Sequence, residues 1–589
     1  MPAADTVQLD KALQLHRQGK LEAAEKIYRH ILADQPDHRD ALNNLGILLR
    51  MQDRTEDAIA VLHHLTNIAP EFAEAWNSYG RALTSAGRLE DARAALQRAL
   101  SINPELVVAH LNIAFTFELS GDLEQAAASI HRYLAAHPDN PEALERLGCY
   151  LHDLGHDEDA LKALRQSVEL APDRHSALIA LAFALEKSEQ YEDAIANRKR
   201  ALIIAPDDVE CLGDMAISLE RLGQIDEAIT ARKRTIALAP QDAASMGDLG
   251  RLLTENDEDG EAAGWFERAL NLAPDAPRIH FNHALYLLRR GEYEQGWAEH
   301  EWRQEFASLK DIFPDYPQPR WDGSSLAGKT IFLHGEQGAG DTIQFSRFVP
   351  EVARQAAKVI LGVREPLARL LAPLPGVDQI ITDPLDLPDF DVRCSLLSLP
   401  HHLRVDPDSD PSKVPYLANT GSFPVQISDG KLNVGLVWGG SPTHKNDHNR
   451  SLTLSQLKPF LDITGCRFHN LQVDDRKLEI SADGLSDHVL DMTDNIRDLA
   501  DTADLIAQLD LVIAVDTSVA HLAGAMGTPV WILLPKPADW RWLRDREDSP
   551  WYPTARLFRQ TKRGDWEDVI ERVASELEAY SLRQAGRLN

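Results

Sequence analysis

The 589-residue sequence predicts an α-solenoid of paired helices followed by an α/β half built on two parallel sheets. Three observations carry that expectation. Prolines recur at one fixed interval through the first half. Near Asp311 the pattern changes to short apolar runs alternating with amphipathic stretches, and a proline-rich break at roughly residues 400 to 428 divides the second half.

The prolines stand at 36, 70, 104, 138, 172, 206, 240 and 274, each 34 residues after the last. Twelve residues before each lies an alanine: Ala24, Ala58, Ala92, Ala126, Ala160, Ala194, Ala228, Ala262. Twelve earlier again only alanine or glycine occurs: Ala12, Gly46, Gly80, Ala114, Gly148, Ala182, Ala216, Gly250. Small residues at fixed offsets let two helices approach closely, and the proline ends the second helix of each pair. This pattern resembles the tetratricopeptide repeat. A ninth unit, marked by Ala284, decays after Gly291, where Gly296-Trp297 replaces the expected alanine; such decay predicts a capping unit docked on the domain C-terminal to it.

Function in such a superhelix is expected on the face lined by first helices. Two positions before the small residue stand Asn44, Ser78, Asn112, Arg146, Ala180, Asp214, Asp248 and Asn282. The short polar members, Asn44, Ser78, Asn112, Asp214, Asp248 and Asn282, suit contacts to an extended peptide backbone. They suit a solvated face equally well.

In the second half the candidate strands are TIFLH (330–334), KVILG (358–362), DQIIT (378–382), NVGLVW (433–438), RFHNL (467–471), DLVIAV (510–515) and PVWILL (529–534). Strands alternating with helices predict parallel sheets covered on both faces, with ligands at the carboxyl ends of the strands. The expected organisation is a repeat domain over 1–303, a linker over 304–327, one Rossmann-like half over 328–428 and another over 429–589.

Three loops at strand ends carry unusual residues. HGEQGAGDT, residues 334–342, nearly spells a phosphate-binding loop but places Asp341 where that loop needs its lysine, which excludes a P-loop hydrolase. WGGSPTHKNDHNRS sets Gly439, Gly440, Lys445 and Arg450 behind a strand. DTSVAHLAGAMG ends a strand at Asp516, offers Thr517 or Ser518 as a helix cap, and places His521 one turn into the helix, where free N–H groups attract anions. Together the last two loops read as a phosphate or diphosphate site. Gln472, ending the strand RFHNL, is a candidate nucleotide contact, and Trp438, Trp531, Trp540, Trp542 and Trp551 are read mainly as core. Asp408-Ser409-Asp410 spells DxD between prolines and not after a strand, so no catalytic metal is expected.

Residues 328 to 560 resemble GT-B glycosyltransferases related to bacterial heptosyltransferases, through Gly340-Asp341 after the first strand and Asp516-Thr517 followed by His521-Leu522-Ala523. With the repeats, the stretches EQGAGDTIQF, NDHNRSLTL, DWRWL and SPWYP are similar to a bacterial family that includes flagellin glycosyltransferases. The resemblance implies Asp341 as general base and donor binding by Arg450, Asp516, Thr517 and His521; Gly440, Lys445, Gln472 and Ser518, read from the strand-end loops, complete the expected donor site. It further implies a nucleotide-sugar co-substrate such as a CMP-nonulosonate, no other cofactor, and a protein acceptor such as flagellin held by the repeats. Two departures stand out: Arg450 where heptosyltransferases carry lysine, and Gly524 where they carry an alanine.

A net charge of -31 argues against nucleic-acid and anionic-membrane partners. Cys149, Cys211, Cys394 and Cys466 are too scattered for a disulfide framework or a zinc site. No signal-peptide pattern and no membrane-length apolar run occurs, so a cytoplasmic location is expected. The expected activity is protein O-glycosylation; the alternatives are a heptosyltransferase-like enzyme acting on a lipopolysaccharide or capsule glycan, and a non-catalytic scaffold.

Overall fold

The computed structural model describes residues 2–305, 316–408, 414–421, 423–427, 430–443 and 446–587. It divides into two compact units, Met1–Ala239 and Pro240–Asn589.

The first unit is a run of helix pairs, from Pro2–Arg17 with Leu21–Asp34 to Val209–Arg221 with Ile225–Leu238. Each second helix stops shortly before its repeat's proline. The small residues have a steric cause: a Cβ added to Gly80 would lie 2.6 Å from Leu96 Cγ, a separation that packed atoms do not tolerate. The alanines twelve residues before the prolines, Ala24 to Ala228, are fully buried.

The second unit opens with two more pairs, Ala243–Glu255 with Asp259–Leu272 and Pro277–Arg289 with Tyr293–His300, then a 3-10 turn over Glu301–Glu305. The decayed ninth repeat does cap by docking. Gly296 stands where any Cβ would meet Leu288 at 2.8 Å. Trp297 is buried against Phe345, Trp540 and Trp551, and its indole Nε1 donates to the Val405 carbonyl at 2.9 Å.

Two parallel sheets come next along the chain. The first has β1 (Thr330–His334), β2 (Lys358–Gly362), β3 (Gln379–Ile381) and β4 (Val392–Ser395) in the order β3-β2-β1-β4. The second has β5 (Leu432–Val437), β6 (Cys466–Asn470), β7 (Val489–Asp491), β8 (Leu511–Val515), β9 (Val530–Leu534) and β10 (Ala555–Arg559) in the order β10-β9-β8-β5-β6-β7. The interior strands β5, β8 and β9 are buried along their whole length, as parallel sheets covered on both faces require. This architecture, a helical solenoid followed by two parallel α/β sheets, is compatible with a GT-B arrangement. The five tryptophans of the second half that the sequence assigned mainly to the core are all buried.

Candidate functional site

The carboxyl ends of β1, β5, β6 and β8 converge on one cleft of about 780 Å³. One wall is the loop after β1. Gly338 precedes the helix Ala339–Ser346, and Asp341, in its first turn, turns back so that its Oδ2 accepts from the Gly338 N–H at 2.8 Å. The other carboxylate oxygen accepts from the Arg541 guanidinium. Gly340 allows the opposite wall to come close: a Cβ there would lie 2.8 Å from His521 Cδ2 and 3.5 Å from Ser518 Cα.

The second wall is the helix Ser518–Met526. Among the described residues no side chain caps its start, and the buried Thr517 Oγ1 finds no hydrogen-bond partner there, so the helix presents bare polar groups to the cleft. Arg450 closes this side by donating from Nη1 to the Asp516 carbonyl at 3.0 Å. It lies over Gly440, where an added Cβ would come within 2.6 Å of the guanidinium. The Gly440 N–H donates to Ser451 Oγ at 2.9 Å and the Gly439 N–H to Gln472 Oε1 at 3.0 Å, so the glycine turn is fixed from both sides.

Burial pushes the Asp516 carboxyl up to about 6, with Asp539 adding to the rise while Arg450 and Arg541 oppose it. Burial, helped by Arg541 and Arg347, drives the His521 imidazole well below its usual value, so the ring is neutral. His521 Nδ1 lies 2.9 Å from the Tyr552 hydroxyl, and the ring stacks on Trp542 with centroids 5.3 Å apart. A neutral histidine cannot balance phosphate charge; it can orient a group or exchange one hydrogen bond. The departure at Gly524 has a local cause, because an added Cβ would lie 2.5 Å from Tyr552 Cγ. The tyrosine fills the space of the missing methyl group and holds His521.

The cleft thus gathers Asp341, Gly440, Arg450, Gln472, Asp516, Thr517, Ser518 and His521. Lys445, Ser409 and Asp410 lie outside the described residues. Asp408 pairs with Arg546 at 2.9 Å. Within the first unit, Asn44 donates from its side chain to the Asp40 carbonyl and Asn112 to Asn77 Oδ1, both at 2.8 Å; Asp214 pairs with Arg198 at 3.0 Å and Ser78 is buried. Within the second, Asp248 pairs with Arg278 at 3.0 Å and Asn282 is buried. Most of these short polar groups are therefore engaged within their own repeat or with the neighbouring one.

Arg541 is the site residue that sequence reasoning passed over. It is buried in the cleft wall and bonds to Asp341, to Asp539 at 2.9 Å and to Gln344 Oε1 at 2.8 Å. Burial disfavours its charge, but Asp539 and Asp341 outweigh that and push its pKa up, so it is a permanent cation. The stretch DWRWL was visible in the sequence, but nothing local ties its arginine to a carboxylate two hundred residues earlier.

The chain is similar to known proteins in both halves. Residues 15–82, 83–148, 141–174 and 214–277 match tetratricopeptide repeat families, and residues 496–534 match glycosyltransferase family 9 (heptosyltransferase). Protein FlbA of Caulobacter vibrioides is 27% identical over 340 residues, covering 52% of this chain and 56% of that protein, so the chain spans little more than half of that relative's length. Among solved structures, MamA of Desulfovibrio magneticus RS-1 is 22% identical over 28% of this chain and 94% of that one, with a TM-score of 0.27. A tetratricopeptide protein of Thermus thermophilus is 23% identical over 31% of this chain and 99% of that one, with a TM-score of 0.28. The chain therefore joins tetratricopeptide repeats to an α/β half similar to the heptosyltransferases of glycosyltransferase family 9.

Proposed function

We propose that this chain is a GT-B protein O-glycosyltransferase that works without a metal, takes a sugar from a nucleotide donor and acts on an acceptor held by the repeats. The observation that carries the proposal is the cleft itself, which sets a carboxylate on one wall opposite an uncapped helix start and two arginines on the other. Similarity to family 9 over residues 496–534, which include Asp516, Thr517 and His521, supports the same reading.

In this mechanism the donor phosphate rests against the N–H groups of Ser518 and Val519, with Arg450 beside it and the helix dipole behind it. As the bond from the anomeric carbon to the phosphate oxygen breaks, negative charge grows where those groups already point. Asp341 takes the proton from the acceptor hydroxyl as its oxygen attacks the anomeric carbon. Arg541, bonded to Asp341, keeps that carboxylate on the cleft side. An anionic donor competes for the guanidinium and thereby loosens its hold on the base.

The acceptor we name first is serine or threonine of flagellin in the cytoplasm, and the donor a CMP-linked nonulosonate. A glycan acceptor is the competing reading, which the similarity to heptosyltransferases favours. Purified chain, CMP-nonulosonate and flagellin, followed by intact-protein mass, test the proposal. Asp341→Asn should lower transfer by at least about a hundredfold, the usual contribution of a general base, while CMP still binds. Full transfer by the variant would remove Asp341 from the mechanism, and transfer to a lipopolysaccharide core but not to protein would favour the glycan reading.

A further inference from the structure

Both backbone N–H groups of the Gly439-Gly440 turn are taken by side chains, and the bonds beyond them close into a ring. On one side the Gly439 N–H donates to Gln472 Oε1 at 3.0 Å, and Gln472 Nε2 donates to Asp474 Oδ1 at 2.8 Å. Asp474 caps the 3-10 turn Asp475–Leu478 and accepts from the Arg476 N–H at 3.2 Å. On the other side the Gly440 N–H donates to Ser451 Oγ at 2.9 Å, and that hydroxyl donates to Asp447 Oδ1 at 2.8 Å. The Arg476 guanidinium donates to Asp447 Oδ2 and joins the two sides. A turn whose N–H groups are already satisfied has none left for a phosphate, so the glycines serve the site in another way.

That way is steric. A Cβ on Gly439 would collide with the Arg476 guanidinium, as one on Gly440 would with that of Arg450, so each glycine seats one arginine. Asp447, itself buried, stands between the two: Arg476 bonds to one of its oxygens, and Arg450 Nε lies 3.6 Å from the other. One carboxylate against two guanidiniums leaves a positive excess at the turn. Gly439, Gly440 and Arg450 belong to the cleft wall, whereas Asp447 and Arg476 stand behind it. Arg476 Nη1 and Arg450 Nε are buried and find no hydrogen-bond partner among the described residues. Their guanidiniums are therefore held by the shared carboxylate and the walls of the turn, not by a full set of hydrogen bonds.

Given the nucleotide-sugar reading of the cleft, on which this rests, we propose that Asp447 and Arg476 are positioning residues for the donor. Joined through the ring, they hold the glycine turn and set Arg450 where it meets the donor phosphate. An arginine fixed before its ligand arrives loses less conformational freedom on binding, so the arrangement shows as affinity. Arg476 acts on the donor only through Gly439 and Arg450.

Isothermal titration calorimetry of the full chain with CMP, UDP and ADP tests this, and the tightest of the three is the probe for the variants. Arg450→Gln should weaken it by about tenfold or more, the loss of one charge-assisted hydrogen bond. Arg476→Ala should weaken it by about tenfold as well. The two substitutions together should be no worse than Arg450→Gln alone, because a residue that acts through another adds nothing once its partner is gone. Gly439→Ala drives the Arg476 guanidinium from its seat, so it should weaken the probe in the parent and change nothing in the Arg476→Ala chain. It also leaves Asp447 its bond with Ser451, and it replaces Arg476→Ala as the test should that variant alter the circular dichroism. Asp447→Asn keeps the shape and removes the charge, and it too should weaken the probe. An Arg476→Ala chain that binds like the parent, additive losses in the double variant, or tighter binding by Asp447→Asn, which would mean that the carboxylate only repels the anion, would each overturn the proposal. Binding of none of the three nucleotides by the parent would overturn the donor reading with it.

Discussion

Asp341 and Asp516 face one cleft from two sheets, and their surroundings differ in kind. Asp341 has a cation and a backbone N–H on its two oxygens, whereas Asp516 is half-buried, and its desolvation, reinforced by the neighbouring Asp539 carboxylate, raises its pKa to about 6. Between about pH 4 and pH 6 the folded chain holds a proton on Asp516 that the unfolded chain has lost, so stability falls as the pH rises through that window. Above it the ionised carboxylate is a standing cost. Asp516→Asn is therefore expected to stabilise the ligand-free chain at pH 8 by on the order of 3 kcal/mol, with the gain vanishing near pH 4. Urea titrations at the two pH values measure this, and an equal gain at both would contradict it. The residues at strand ends were legible because glycine, aspartate and small residues there have few structural uses. Arg541 was not, since its meaning comes from three partners, of which Asp341 and Gln344 lie far away in sequence.

At the scale of elements, the helix pairs were the most legible feature, because the same contact recurs every 34 residues and each recurrence forces the same residue size. Gly80→Ala puts a methyl group 2.6 Å from Leu96 Cγ, which must then leave a packed position. The expected loss is about 1–3 kcal/mol, read as a lower denaturation midpoint of the repeats by circular dichroism. A neutral result would mean that the spacing reflects something other than helix contact. Among the strands, β4, β7 and β10 escaped the sequence reading, and all three are edge strands. An edge is paired on one side only and tolerates polar residues, as VRCS, VLD and ARLFR show, so the apolar run that marks an interior strand is missing.

At the scale of the second unit, the last repeat is bonded to the loop that carries Asp341. Arg303 is fully buried; it donates to Glu336 and Glu301, and from Nη2 to Ser398 Oγ at 2.8 Å. Glu336 lies five residues before Asp341 in the same loop. Removing only the cation strands a buried carboxylate, so Arg303→Met should cost about 3–5 kcal/mol, whereas Arg303→Met combined with Glu336→Gln should recover much of the loss. The midpoint of tryptophan-monitored unfolding checks this, since Trp297, Trp540 and Trp551 are buried in the adjoining core. A single variant as stable as the parent would show that the pair does not tie repeat to loop.

The sequence by itself determined the repeat length, the change from helix pairs to parallel strands and which strand ends carry chemistry, because periodicity, residue size and helix capping are local properties. Only the tertiary structure decided that the loops after β1, β5 and β8 share one cleft, that Arg541 holds Asp341 and that Tyr552 compensates for Gly524. Those outcomes depend on which distant surfaces meet and how much water they exclude, and burial and charge pairing have no period along the chain.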